Sequence, residues 1–219
     1  MLVRPLIMSL LIASAGVAHA QPGGTAHLYA YTVKDHAAFE RGYREHLRWH
    51  ARHSDKLAWF AWYVTNGECA GAFVDGTFGT TPDGLAGRPD PKGDSADFQR
   101  NAGPYVSAIG NEGWELWRDA SHATPLEQRP PGAYLHVYAI AADDPAAFEA
   151  AIAARPLQGA TWYRSLDGAP GRYLLTLPAR SPGAPPPLSL GGGPVRTVRA
   201  ETWRYAPRLT LMPGVPLAR

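Results

Sequence analysis

The sequence predicts an α+β protein made of two copies of one β-α-β-β-α-β unit. Residues 26–40 read AHLYAYTVKDHAAFE, and residues 133–149 read AYLHVYAIAADDPAAFE. Two further matches follow in the same order, WYVTNGECAG with WYRSLDGAPG and then WELWR with AETWR. Because a spacing of about 100 residues is much longer than the repeats of solenoid proteins, the pattern indicates a duplicated domain.

The first copy contains every element of this unit. Alternating aromatic and β-branched residues predict its first strand, and Phe39, Tyr43 and Leu47 recur at the four-residue spacing of an amphipathic helix. Asn66-Gly67 is a turn dipeptide between two strands. The predicted elements are strands at 26–33, 57–65, 70–74 and 114–118, helices at 36–53 and 97–109, and a loop at 75–95.

The second copy follows the same order but lacks its second helix. In its place Ser181 to Pro194 reads SPGAPPPLSLGGGP, which cannot be helical because proline removes a hydrogen bond and clashes with the preceding turn. The predicted elements are strands at 134–140, 161–165, 173–177 and 198–205 and a helix at 145–155. The predicted domains are a leader at 1–20, repeats at 21–119 and 132–207, a linker at 120–131 and a tail at 208–219.

This order of elements is the ferredoxin-like, or split β-α-β, arrangement. In element order and duplication, residues 26–207 resemble the dimeric α+β barrel superfamily. That superfamily includes antibiotic-biosynthesis-type monooxygenases and the haem-binding chlorite dismutase and dye-decolourising peroxidase groups. The resemblance implies that two sheets in one chain cover each other, so that a monomer acts as its own dimer. No motif of a single family accompanies it, and fold alone leaves function open.

The first 20 residues have the composition of a secretory signal peptide. Arg4 supplies the positive start, residues 6–17 are apolar, and residues 18–20 match the A-x-A cleavage pattern. An apolar run of about 12 residues is shorter than the roughly 20 that span a bilayer. We therefore expect cleavage near Ala20 and an exported protein, periplasmic or secreted, with no membrane anchor.

The composition excludes some classes of partner. The formal net charge is +2 and no run of Lys or Arg stands out, so nucleic acid is not an expected partner. Cys69 is the single cysteine, which rules out an intrachain disulfide even in an oxidising compartment.

The first strand of each copy places aromatic residues and a histidine on one face and small aliphatic residues on the other. We expect the aromatic face to point between the two sheets. It would there line a pocket for a small hydrophobic or aromatic molecule, or form an inter-sheet core. The candidate ligand-binding residues are Tyr29, Tyr31, His27, Tyr63, His136 and Tyr138.

The first helix carries the sharpest local pattern, the histidines of REHLRWHARH. His46 and His50 lie one turn apart on the face that also carries Tyr43, a spacing that metal-binding helices use. His53 extends the row. A transition metal, an axial bond to haem, general acid–base chemistry and an unligated edge of the core are the alternatives. Three flanking arginines would repel a cation: Arg44, Arg48 and Arg52.

The acidic segment between the third strand and the second helix is interpreted as solvated. Its aspartates lack the spacing of calcium-binding loops. They are Asp83, Asp90, Asp94 and Asp97.

Three functions are compatible with these patterns. The first is an exported, non-catalytic protein that binds a small molecule without a cofactor. The second is a monooxygenase-like or haem-dependent enzyme in which His46 or His50 is a ligand or base and Tyr29 or Tyr31 orients the substrate. The third is a protein–protein module without a pocket.

Overall fold

The structure is a computed structural model that describes residues 24–123, 125–126, 132–167, 170–190 and 195–218. The strands are β1 (Thr25–Val33), β2 (Phe60–Asn66), β3 (Phe73–Thr80), β4 (Val106–Leu116), β5 (Tyr134–Ala142), β6 (Thr161–Ser165), β7 (Arg172–Ala179) and β8 (Val195–Tyr205). The helices are α1 (His36–Arg52), α2 (Pro82–Ala86), α3 (Pro91–Asn101) and α4 (Pro145–Ala154). The α+β class is therefore confirmed. None of the described helices is long and apolar enough to span a membrane. The predicted leader at 1–20, and parts of the predicted linker and proline-rich segment, lie outside the described residues.

The eight strands form one closed antiparallel barrel in the order β1-β3-β2-β8-β5-β7-β6-β4. Within β1–β4 the first strand lies between the fourth and the third, and within β5–β8 the first strand lies between the fourth and the third as well. Two pairs join these sets of four, β2 with β8 and β4 with β6. The two sets of four strands thus form one barrel together.

The barrel lumen holds the core that both halves share. Leu28 of β1 packs there with large side chains from other strands, among them Trp62, Trp114 and Trp203. The opposite face of β1, with Tyr29 and Tyr31, packs against α1 outside the barrel. The predicted orientation of this strand was therefore wrong. The interior of an eight-stranded barrel is just wide enough for side chains to fill it. The small residues of β1 therefore fit inside, opposite three tryptophans. The tyrosines of β1 fill the space between the sheet and the helix outside the barrel.

The same inversion holds in the second half. Tyr138 belongs to the outer cluster with Phe148 of α4. The segment at 180–190 covers the outer face beside them: the Tyr138 hydroxyl donates to the Pro186 carbonyl oxygen (2.8 Å), and Leu188 and Leu190 pack on the cluster. Proline-rich chain thus lies over the sheet where the first half has α3.

The segment between β3 and β4 differs most from its predicted structure. The predicted loop at 75–95 contains the end of β3, all of α2 and the first residues of α3. Helix α3 begins at Pro91, because Asp90 accepts a hydrogen bond from the Gly93 N–H as an N-cap and proline suits the first turn. Strand β4 begins at Val106 rather than 114, because it pairs with β1 along its length.

Candidate metal centre

Helix α1 turns two histidines toward the barrel. The Asp35 carboxylate caps the helix by accepting from the Ala38 N–H (3.0 Å). Residues four apart lie on one face of a helix, and His46 and His50 therefore share the buried face with Tyr43. Their side chains are only 7% and 3% exposed. The sequence placed both residues on the correct face.

Helix α3 brings two aspartates to the same place. Asp94 and Asp97 are three residues apart, so both point toward α1, and their side chains are 10% and 8% exposed. The two helices approach closely at Gly42, where a Cβ would overlap the Asn101 carbonyl oxygen. The absence of a side chain at Gly42 thus allows the aspartates to reach the histidines.

Three of these side chains point their donor atoms at one spot. The Nε2 atoms of His46 and His50 are 3.2 Å apart. The Oδ1 atom of Asp94 lies 3.4 Å from the His46 Nε2 and 3.3 Å from the His50 Nε2. Among the described residues this is the group of three or more His, Cys, Asp or Glu side chains placed to hold a metal ion.

The other ring nitrogen of each histidine is bound by its own carboxylate. Asp97 Oδ2 lies 3.0 Å from the His46 Nδ1, and Asp55 Oδ2 lies 2.8 Å from the His50 Nδ1. Arg88 Nε donates to Asp94 Oδ2 (2.9 Å), which leaves Oδ1 facing the histidines. Carboxylates that accept from Nδ1 fix the ring tautomer and aim Nε2 at the metal in known metal sites.

The protonation of the cluster suits a cation. Burial and the neighbouring His50 lower the pKa of His46, against the opposing effect of Asp97 and Asp94. Burial raises the pKa of Asp55, but hydrogen bonds from His50, Leu57 and Trp59 outweigh it, and the pKa lies below its usual value. With a proton on each Nδ1, both Nε2 lone pairs and the Asp94 oxygen face one another. A bound cation relieves this repulsion.

A cavity of about 440 Å³ opens beside these donor atoms. This volume is within the usual range for small-molecule sites. Asp75 of β3 lies in its wall, fully buried; its Oδ2 accepts from the Tyr43 hydroxyl (2.5 Å), and its Oδ1 has no hydrogen-bond partner among the described residues. Burial raises the pKa of Asp75 to about 7, although the Tyr43 hydrogen bond opposes the shift. The aromatic part of the wall comprises Tyr29, Tyr31, Trp59 and Phe98.

The structure brings together four of the eight predicted site residues. Tyr29 and Tyr31 line the cavity that contains His46 and His50. The other four candidates do not join a pocket between the sheets. Tyr63 donates to Glu40 Oε1 (2.9 Å), and His136 is hydrogen-bonded to Thr202 Oγ1 (3.0 Å). His27 lies on the outer face of β1 without lining the cavity, and Tyr138 lies under the proline-rich segment.

His53, which follows the last residue of α1, and the three arginines that flank the histidines face away from the centre. His53 is exposed and stacks on Trp49, with ring centroids 3.9 Å apart. Arg44 donates to the Arg208 carbonyl oxygen, and Arg48 pairs with Glu45 in solvent. Arg52 is exposed as well. The expected repulsion of a cation by these arginines was therefore wrong, since they are on the solvent side of the helix.

Four acidic residues of the centre were missed from sequence. Asp94 and Asp97 were interpreted as solvated, whereas both are buried against α1. The available signal was Asp90-Pro91, a capping residue followed by proline, which marks a helix start and would have placed both aspartates on one helical face. No local pattern points to Asp55 or Asp75, because their roles depend on contacts formed only in the fold.

The donor set fits a single ion better than haem. Three donor atoms from three side chains lie within 4.8 Å of one another, which is the arrangement around one small cation. A haem iron would take one axial imidazole from this side, and the second histidine and Asp94 would then compete for the same space.

The comparisons with known proteins give fold neighbours only. No family model matches the chain, and no curated protein matches it. One similar crystal structure, provisionally described as a chlorite dismutase, is 10% identical with a TM-score of 0.48, over 84% of this chain and 95% of that chain. Another is a mutant chlorite dismutase from Candidatus Nitrospira defluvii, 14% identical with a TM-score of 0.47, over 72% of this chain and 78% of that chain. A likeness at this level bears on neither cofactor nor activity.

Proposed function

We propose that this chain is a metal-dependent hydrolase with one divalent ion of the zinc class held by His46, His50 and Asp94. The observation that carries the proposal is the convergence of the two Nε2 atoms and Asp94 Oδ1, 3.2 to 3.4 Å apart. A tetrahedral ion with bonds of about 2.0–2.1 Å places its ligands about 3.3–3.4 Å apart. The donor atoms thus stand at a spacing that is compatible with such an ion.

Three protein ligands leave one tetrahedral position open, as in catalytic zinc sites. An ion here would polarise a substrate oxygen and lower the pKa of a bound water. The unpartnered oxygen of Asp75 shares the cavity wall and can accept a proton from that water. Tyr43 holds the Asp75 carboxyl in place.

The cavity wall supports a substrate with an aromatic or apolar group. Tyr29, Tyr31 and Trp59 form this part of the wall. Burial raises the pKa of both tyrosines, so their hydroxyls remain protonated and can donate hydrogen bonds to the substrate. The pocket predicted from these tyrosines is thus proposed on the helix side of the sheet.

Metal content is the direct test. Mature protein dialysed against zinc should retain about one equivalent. His46→Ala and Asp94→Asn should retain much less, and His53→Ala, a change at the exposed residue that follows α1, should match the wild type. Cobalt substitution should give the visible absorption of a tetrahedral ion. Metal bound equally by wild type and by the His46→Ala, His50→Ala double variant would show that the ion lies elsewhere.

Hydrolysis is tested separately with aryl esters, amides and phosphoesters. The zinc-loaded protein should turn over at least one of these classes, and Asp75→Asn should lose the activity while keeping its metal. Metal binding without turnover of any class would make the centre structural and the hydrolase proposal wrong.

A second candidate is oxygen activation by Fe(II). Two histidines and one carboxylate with open positions are also the ligands of non-haem iron oxygenases. The spacing of the three donor atoms is compatible with either ion, so the metal that the protein retains distinguishes the two candidates. Retention of iron rather than zinc after anaerobic purification, with oxygen-dependent turnover, would support this candidate instead.

The predicted duplication and export also remain proposals. The identical strand order of β1–β4 and β5–β8 supports a tandem ferredoxin-like duplication acting as an intrachain pseudo-dimer. The leader-like residues 1–20 support export to the periplasm or medium. Sedimentation should give a monomer, and N-terminal sequencing of protein from the periplasm should start near residue 21; protein that keeps its first 20 residues would oppose export.

A further inference from the structure

A second cavity, here called the lumen cavity, opens from inside the barrel. It has a volume of about 240 Å³ and lies on the other side of the sheet from the histidines. Its mouth is between β4 and β8, where Glu112 and Arg199 are partly exposed. Both halves of the barrel contribute to its apolar wall, which includes Leu28, Ala30, Val64, Val74 and Trp203.

Two polar side chains of the lumen cavity are incompletely paired. The Glu201 side chain is 2% exposed; its Oε2 accepts from Trp203 Nε1 (2.8 Å), and its Oε1 accepts no hydrogen bond of ordinary geometry from the described residues. The Cys69 thiol also lines the cavity beside this carboxylate, and burial together with Glu201 raises the pKa of Cys69. Arg199 Nη2 donates to Glu112 Oε2 (3.2 Å), whereas its buried Nε donates no hydrogen bond within the described chain. Buried polar atoms are rarely left unpaired.

The unpaired donor and acceptor are neighbours. Arg199 Nε lies 3.6 Å from Glu201 Oε2, so the free Glu201 oxygen is close to the free N–H. A group that accepts from Arg199 and donates to Glu201 at the same time would satisfy both.

The charges around the lumen cavity favour a neutral ligand. Glu112 and Glu201 are balanced by Arg199 and Arg172, which lies 3.8 Å from Glu112. The buried Glu201 would repel a ligand carboxylate, and Arg199 would repel a ligand ammonium group. A ligand of either charge would therefore be repelled by one of the two groups that it must contact.

The wall of the lumen cavity is partly polar and partly apolar. A water molecule occupies about 30 Å³ and needs two to four polar partners, and apolar cavities tend to remain dry. Water could pair with Arg199, Glu201 and the other polar residues of the wall, Cys69, Asn111 and Glu112, but Leu28, Val64 and Val74 offer side chains without polar atoms. The space suits an apolar body joined to one polar group.

We propose that the lumen cavity binds a small neutral amide or lactam with a ring-sized apolar body. The amide oxygen accepts from Arg199 Nε and the amide N–H donates to Glu201 Oε1, while the ring packs on Trp203 and the aliphatic wall. The lumen cavity shares Gly110 and Asn111 with the cavity at the metal centre, but none of the proposed metal ligands lines it, so this site does not depend on the metal.

Benzamide is a suitable probe, with benzoate and benzylamine as charged analogues of similar size. Metal-free mature protein is titrated with each compound. Binding is followed by calorimetry and by the NMR signal of the Trp203 indole N–H, which the Trp203→Phe variant assigns. Benzamide should bind saturably and shift this signal, and both analogues should bind at least tenfold more weakly. The same result in His46→Ala protein separates this site from the proposed hydrolase function.

Two variants locate the probe. Arg199→Met removes the donor and Ala30→Leu fills the cavity, and each should weaken benzamide binding at least tenfold. Arg196→Met, a change at an exposed position of the same strand, should leave it unchanged, and far-UV circular dichroism with the urea midpoint reports that each variant is folded. Absence of saturable binding, equal binding of the charged analogues, or binding unaffected in both Arg199→Met and Ala30→Leu would each overturn the proposal.

Discussion

His46 and His50 direct their Nε2 atoms at each other across 3.2 Å, while separate aspartates hold both Nδ1 atoms. In the tautomer in which Nδ1–H donates to Asp97 and to Asp55, both Nε2 atoms are acceptors. Two lone pairs and the Asp94 carboxylate oxygen then face one spot without a donor between them. In that tautomer the two histidines and Asp94 would form the cation site proposed above rather than satisfy one another's hydrogen-bonding groups.

Zinc should stabilise the protein through these ligands. At free zinc 100-fold above Kd, binding to the folded state contributes about 2.7 kcal/mol, which for a domain of this size raises Tm by about 5–10 °C. Calorimetric scans with zinc and with EDTA should show this difference for wild type and for His53→Ala. His46→Ala should show little or none, and an equal zinc effect in that variant would contradict the ligand assignment.

The aspartates behind the histidines should tune metal affinity without binding the ion. Asp55→Asn replaces the carboxylate beside His50 Nδ1, and Asp97→Asn replaces the carboxylate beside His46 Nδ1. Removal of such partners typically weakens metal binding 10- to 100-fold. Competition titrations with a chromophoric chelator measure this loss. Asp143→Asn, at an exposed position, is the control. A loss as complete as that of Asp94→Asn would instead make Asp55 or Asp97 a ligand.

The sequence predicted the class, the order of strands and the inward face of α1, because these depend on local alternation and four-residue spacing. The sequence could not show which face of β1 lines the lumen. The alternation of residue types separates the two faces, but both faces are covered in the fold, so the pattern does not say which one is inside. Tyr29 and Tyr31 were thus assigned to the wrong side, yet they line the cavity beside His46. Asp94 was missed because α3 is a polar helix whose buried face is aspartate rather than aliphatic.

Gly42 should be essential for the geometry of the centre. A Cβ at this position overlaps the Asn101 carbonyl oxygen, so Gly42→Ala must push α3 away from α1. We expect a loss of about 1–3 kcal/mol in the free energy of unfolding together with weaker zinc binding, because Asp94 and Asp97 move with α3. Urea denaturation and zinc titration measure the two effects. Gly183→Ala, where the nearest atom is 3.6 Å away, should change neither; tight zinc binding by Gly42→Ala would show that the helix contact does not position the ligands.

Asp75 should make the stability of the metal-free protein depend on pH. Burial raises the pKa of Asp75 in the folded state to about 7 from an ordinary 3.8, so the folded protein keeps a proton that the unfolded chain releases. The contribution of Asp75 to stability is therefore fully present below about pH 4 and is lost as the pH rises to about 7.

Asp75→Asn should remove this dependence, since an amide does not titrate and its oxygen can still accept from Tyr43. Between pH 5 and pH 8, wild type should lose about 1–3 kcal/mol relative to the variant. Urea denaturation in EDTA at both pH values measures the difference, and Asp83→Asn, at an exposed position of α2, should follow the wild type. Parallel pH profiles for wild type and Asp75→Asn would mean that Asp75 is ionised in the folded protein. It would then be a permanent negative charge beside the histidines rather than a group that takes up a proton near neutral pH.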